Sequence, residues 1–276
     1  MVNRPIGAPM NLTEKIAKRV VLCADDFAFT ASVSQGIVSL IERGRLSATS
    51  AMTLSPRWAN DAAQLRAWRG QVDVGLHLDW TSPLAMAAGH GQGLKSLMAA
   101  HLRRRLGLTP SGERNGAVEF QKLIHAQLDA FEAAWGAAPD HVDGHQHIQQ
   151  FEGIRQALLQ VLVSRYGPTE RPYLRVSRPV PGLHGFKAWV IQAMGARALL
   201  REANAVQVPV LGWLAGVDDF EGDAAAFGQN FAQWLKKAPD GTLIMCHPGE
   251  PGDLDLAFDS IANARVREWT YFKSGA

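Results

Sequence analysis

Cysteine is nearly missing from this sequence, with only Cys23 and Cys246 among 276 residues. That count excludes a disulfide-stapled scaffold, and a reducing cytoplasm is the expected home. Charge of one sign is also scarce: charged residues make up 20% and the formal net charge is +2. Only LRRRL, from Leu102 to Leu106, concentrates positive charge, and on a helix it reads as a solvated face. No nucleic-acid partner is therefore expected. No apolar run approaches the ~20 residues of a membrane span. The stretch MVNRPIGAPM, Met1 to Met10, has no apolar core of signal-peptide length. Membrane insertion and secretion are both disfavoured. No G-x-G-x-x-G turn follows the first predicted strand, which argues against dinucleotide binding. Repeats and low-complexity tracts are absent as well. The expectation is one domain over residues 19–276 behind a flexible N-terminal segment, residues 1–18.

What is present is a set of apolar runs that end in acid or imidazole. VLCADDF, from Val21 to Phe27, closes on Asp25 and Asp26. VDVGLHLD, from Val72 to Asp79, carries His77 near its end, HVDGHQH holds His141, Asp143, His145 and His147, and TLIMCHPGE stops its apolar run at His247. Unbroken apolar runs read as strands of a buried parallel sheet. Ionised groups at their ends need compensation for their charge. In α/β barrels and open parallel sheets those ends gather on one face, where ligands bind.

Between these runs the pattern is helical. Helices are expected over Ser32 to Arg43, Ala59 to Arg69, Ala117 to Trp135, Phe151 to Arg165, Lys187 to Ala203, Phe227 to Lys237 and Asp259 to Lys273. Further strands are expected at Ser47 to Leu54, Pro172 to Val176 and Val210 to Gly212, with a short one at Val206 to Val208. Residues 81–116 are irregular and read as an excursion over the active face. Seven or so βα units over this length predict a single-domain distorted (β/α) barrel with its active site at the C-terminal ends of the strands.

One carboxylate and two imidazoles suffice for a divalent metal with an open position. Asp26, His77 and His145 are the candidates. Such a metal polarises a carbonyl and lowers the pKa of water. Asp25 is placed as general base and His247 as general acid. Adjacent strand residues point opposite ways, so the chain must turn at this Asp pair. Asp143, two residues before His145 and facing the same side, is placed as support for an imidazole, and His147 as a ligand or substrate contact. Arg175 could hold Asp25 or a substrate oxygen. Trp80 and Trp213 could stack on a sugar ring, against the commoner role of packing a loop. This donor set suits zinc, cobalt or nickel, and magnesium if waters complete the shell.

ADDF, GLHL, HVDGHQH and MCHPG, in this order, resemble the YdjC-like carbohydrate deacetylases, a group that includes chitooligosaccharide and hopanoid-associated deacetylases. The resemblance runs from about Val20 to the RVREW segment, Arg265 to Trp269. It implies a distorted barrel that removes an acetyl group from an N-acetylated sugar or oligosaccharide, with water on one divalent metal as nucleophile. It also implies metal ligands at Asp26, His77 and His145, with Asp25 as base and His247 as acid. Two positions depart from the family pattern: Ala28 stands where the family usually has Gly, and Gln149 where many relatives have His. A small carbohydrate is the expected partner, and a homo-oligomer is left open. The alternatives are another metal-dependent amidohydrolase on a barrel, for which His145 and His147 have the H-x-H spacing, and a catalytically silent sugar-binding protein.

Overall fold

A computed structural model describes residues 19–108, 116–183, 185–252 and 258–275; the segment 1–18 lies outside them. Eight strands form one parallel sheet in the order β6-β5-β4-β3-β2-β1-β8-β7. They are β1 (Val20–Phe27), β2 (Ala48–Ala51), β3 (Asp73–Leu78), β4 (His141–Gly144), β5 (Tyr173–Arg175), β6 (Val210–Leu211), β7 (Trp213–Ala215) and β8 (Thr242–Cys246). β6 pairs with β5 and β7 pairs with β8. Only Gly212 separates β6 from β7, so a single extended stretch joins the two edges and nearly closes the barrel.

The helices lie outside this cylinder: α1 (Ala31–Glu42), α2 (Trp58–Leu65), α3 (Pro83–Ala87), α4 (Leu94–Arg105), α5 (Gly116–Trp135), α6 (Ile154–Arg165), α7 (Phe186–Ile191), α8 (Arg197–Ala205), α9 (Ala224–Lys237) and α10 (Ala262–Ser274). α1 forms where Val33, Ile37, Leu40 and Ile41 recur at helical spacing and are buried, and Thr30 caps it by accepting from the Val33 N–H. The main core lies between sheet and helices, with Phe27, Trp58 and Phe131 fully or almost fully buried in it. A smaller cluster of Cys23, Ala48, Leu214, Leu243 and Met245 fills the base of the barrel.

Strand alternation sorts the interior into layers. In the lower layer Cys23 Sγ lies 3.7 Å from His141 Nε2, and Tyr173 stacks on the His141 ring. Gly75 makes room for that ring, since a Cβ there would fall 2.3 Å from His141 Nε2. The next layer up holds Asp25, Ser50, His77, Asp143 and Arg175, which contact one another.

Three expectations need correction. HVDGHQH is not one strand: β4 ends at Gly144, and a 3-10 turn runs from His145 to Gln150 with left-handed backbone at Gln146 and His147. Val206 to Val208 is no strand, because Gln207 has φ 57° and the Val208 N–H bonds back to Ala203. The helix expected over Lys187 to Ala203 is interrupted by a π turn, Gln192–Ala196, containing Gly195 at φ 121°. The irregular segment contributes α3 and α4, and its residues 109–115 lie outside those described.

Candidate active site

β1 ends in the turn that the Asp pair requires. Asp26 and Ala28 have φ 69° and 71°, and the pairing of β1 with β2 shifts register between Ala24 and Phe27. The kink lets Asp25 point into the barrel while Asp26 stays at its rim. Ala28 occupies a backbone region that costs an L-residue roughly 1–2 kcal/mol, which is the physical reason a glycine suits that position.

Asp25 is held by Arg175, whose Nη1 donates to Oδ1 at 2.7 Å and Oδ2 at 2.9 Å. The same nitrogen lies 3.0 Å from Asp143 Oδ2. This guanidinium is fully buried and shares its single positive charge between two carboxylates. Burial would raise the Asp143 carboxyl, but Arg175 and His77 outweigh it and hold it below the ordinary range. Asp143 accepts from His77, with Nδ1 and Oδ1 2.6 Å apart. The imidazole it supports is therefore that of His77.

His77 turns its other nitrogen, Nε2, to Asp26 Oδ1 at 3.2 Å. The partner oxygen, Asp26 Oδ2, accepts from Arg265 of α10 at 2.7 Å. Against its burial, Arg265 and His77 keep the Asp26 carboxyl well below the usual range. His145 meets His77 edge-on with ring centroids 5.9 Å apart. Thr81 Oγ1 lies 2.7 Å from His145 Nδ1, which leaves Nε2 as the ring's available donor atom. Burial lowers the His145 pKa although Asp26 and Asp79 oppose it.

His247 follows β8, with Nε2 3.8 Å from Asp25 Oδ2 and Phe220 edge-on at 5.4 Å. Burial brings its pKa down to about 4 despite Asp25 and Asp26, so the resting ring is neutral. Its backbone N–H donates to Glu268 Oε2 of α10 at 2.6 Å. Burial pushes the Glu268 carboxyl up to about 8.

Which of these groups could hold a cation follows from their surroundings. Asp26 Oδ1 is buried and faces His77 Nε2 at 3.2 Å without a well-formed hydrogen bond, beside an imidazole whose far nitrogen is already oriented by a carboxylate. That is the donor chemistry of a metal site with its supporting partners in place. Two other groups, Cys23 with His141 and Asp143, and Asp25 with His77 and Asp143, have ligand atoms within 4.8 Å of one another. Arg175 already supplies the positive charge between Asp25 and Asp143. Burial, with Asp25 and Asp143 nearby, keeps Cys23 a thiol. Asp26, His77 and His145 are not among the described groups whose ligand atoms all lie within 4.8 Å of one another.

The remaining sequence candidates separate. His147 is buried, with Nδ1 3.0 Å from Ser177 Oγ, and Gln149 donates to the Arg175 carbonyl and to Ser177. His141 sits a layer below. Trp80 is fully buried against Phe120, so it packs the fold and offers no face to a sugar. Trp213 lies under the Arg178 guanidinium at 3.6 Å. The two cysteines are neighbours on β1 and β8, where the Cys246 thiol contacts the Cys23 carbonyl at 3.4 Å. Sequence reasoning missed Arg265, Glu268, Ser50, Thr81 and Phe220. Arg265 and Glu268 stand in the RVREW segment, which carried no chemical signal because helical spacing alone does not say what a helix reaches.

A family model described as YdjC-like protein matches residues 19–276. The chain is similar to carbohydrate deacetylases of mouse, 28% identical over 52% of this chain and 47% of that protein, and of Geobacillus stearothermophilus, 29% identical over 58% and 61%. It matches less than two thirds of the length of either. A human carbohydrate deacetylase is 27% identical over 84% of this chain and 75% of that one. A solved Enterococcus faecalis structure, described as a candidate cellobiose-phosphate cleavage protein, shares the fold with TM-score 0.65 and 18% identity over 92% of this chain and 90% of that one.

Proposed function

The chain belongs to the YdjC-like family, and from that premise we propose that it is a metal-dependent hydrolase removing an acetyl group from an N-acetylated sugar or oligosaccharide. The observation that carries the reading is the approach of His247 Nε2 to within 3.8 Å of Asp25 Oδ2 beside the buried Asp26–His77 pair. Relatives named carbohydrate deacetylase and chitooligosaccharide deacetylase supply the substrate class.

Asp26, His77 and His145 would hold one divalent cation, with zinc, cobalt, nickel and magnesium all compatible with the set. Such an ion supplies Lewis acidity toward the acetyl carbonyl and acidifies water. Asp25 takes the proton of the attacking water. Arg175 fixes both oxygens of that carboxylate. His247 gives a proton to the departing amine. Because its resting ring is neutral, that proton arrives during turnover, and Asp25 at 3.8 Å is the nearby carrier. Asp143 and Ser50 orient His77, Thr81 orients His145, and Arg265 orients Asp26.

The test is acetate release from N-acetylated sugars by chelator-treated protein, alone and after resupply of each metal. Metal-restored release is expected, with Asp25→Asn at least ~100-fold slower yet still binding metal, and Asp26→Asn losing metal. If Asp25→Asn lost the metal, the Asp25, His77 and Asp143 group would be the site. Release indifferent to chelation would overturn the metal-dependent reading.

A further inference from the structure

A cavity of about 690 Å³ opens beside the barrel between α4, the start of α6 and the α7–α8 junction. None of Asp25, Asp26, His77, His145 or His247 lines it. Its wall carries four arginines, Arg105, Arg155, Arg197 and Arg201, against two glutamates, Glu152 and Glu202. Arg155 is committed: Nε and Nη2 donate to Glu202 at 2.7 and 3.1 Å, and Nη1 to the Gln150 carbonyl at 3.0 Å. Arg201 Nη2 also donates to Glu202 Oε1 at 3.2 Å and Arg105 Nη1 to the Ala193 carbonyl at 3.3 Å, and the four arginines still outnumber the two glutamates. Arg197 and Arg201 are exposed four residues apart on α8, a like-charge pair that disfavours the helix by itself.

His101 adds an independent signal. It lines the same wall and is only 7% exposed. Its Nδ1 accepts from the Glu152 N–H at 3.0 Å. Burial, with Arg105 and Arg155 close by, lowers its pKa to about 4, so the neutral ring carries its hydrogen on Nε2. That buried N–H has no partner, an uncommon state for a polar group. The floor includes the π turn with Gly195, where a Cβ would fall 2.3 Å from the Gln150 carbonyl. Such interruptions of a helix are frequent at functional sites.

We propose that this cavity is a binding site for a phosphoryl group, held by the guanidinium forks of Arg105, Arg197 and Arg201. Guanidinium geometry matches phosphate oxygens in paired hydrogen bonds, and the surplus positive charge matches the dianion. Trp189, 64% exposed, stands at the rim and presents an apolar face to whatever carries the phosphate. It stacks with the still more open Phe186 at 6.2 Å. The carrier is either a small soluble phosphate ester or the headgroup of a phospholipid, and the two make different demands on that aromatic pair.

The experiment is calorimetric titration of the full chain with inorganic phosphate at constant ionic strength, alongside flotation with phosphatidylcholine vesicles with and without phosphatidic acid. Saturable phosphate binding is expected, weakened at least ten-fold in Arg197→Gln/Arg201→Gln and unchanged in Lys122→Gln on α5. Vesicle binding that needs phosphatidic acid and is lost in Trp189→Ser would identify the headgroup as carrier; phosphate binding with no flotation would identify the soluble ester. Asp25→Asn should bind phosphate normally, so this site and the hydrolytic reading stand or fall separately. Binding that is indifferent to the double arginine substitution, or no binding of either probe, overturns the proposal.

Discussion

Arg175 is the residue on which most of the polar interior depends. Its single guanidinium faces Asp25 and Asp143 at 2.7 and 3.0 Å, and all three residues are buried. Removing one partner of a buried ion pair leaves an uncompensated charge and costs about 3–5 kcal/mol. Arg175→Leu is therefore expected to lose at least that much in urea unfolding, and a loss under about 1 kcal/mol would mean the carboxylates are neutralised otherwise. Glu268 makes a different prediction. Burial raises its carboxyl from 4.5 to about 8, so between those values the native state keeps a proton the unfolded chain has released. Stability then falls as pH rises through that window, by up to about 1.4 kcal/mol per pH unit. Glu268→Gln should lack this slope; parallel stability curves for variant and parent from pH 5 to 8 would rule the assignment out.

At the scale of elements, strands and turns divide the labour. β3 and β4 bring His77 and Asp143 side by side in register, which is why the carboxylate supports His77. The 3-10 turn after β4 then carries His145 out of strand alternation and toward Thr81 and Asp79. Gly75 is the position where this arrangement tolerates least. A methyl group there meets the His141 ring, which is fully buried and stacked on Tyr173. Gly75→Ala is expected to destabilise by about 1–3 kcal/mol, as overpacking of a close-packed interior does, seen as a lower Tm. A silent substitution would show that His141 has room to turn.

Over the whole molecule, the site is assembled from both ends of the chain. Arg265 and Asp26 are 239 residues apart in sequence and 2.7 Å apart in space, and Glu268 reaches the His247 backbone from the same helix. Partners that orient a metal ligand contribute about 10–100-fold in metal affinity. Arg265→Gln should accordingly bind zinc or cobalt more weakly by that factor in calorimetric titration, while Asp25→Asn retains parental affinity. Equal affinities for Arg265→Gln and the parent would separate α10 from the metal site. Among the described residues, no helix is long and apolar enough to cross a membrane.

Sequence alone determined the parallel α/β architecture, because buried strands must be apolar throughout and helices must carry a 3.6-residue apolar period. It also determined the gathering of Asp25, Asp26, His77 and His247 at strand ends, since all parallel strands run the same way. The kink at Asp26 was legible for a related reason: two adjacent carboxylates cannot share one face of a straight strand. Only the tertiary structure decided that Asp143 supports His77, that Trp80 is buried, and that α10 delivers Arg265 and Glu268. Those outcomes depend on cross-strand register, on where a strand stops, and on how a helix docks. Each is a contact between residues far apart in the chain, which local periodicity does not encode.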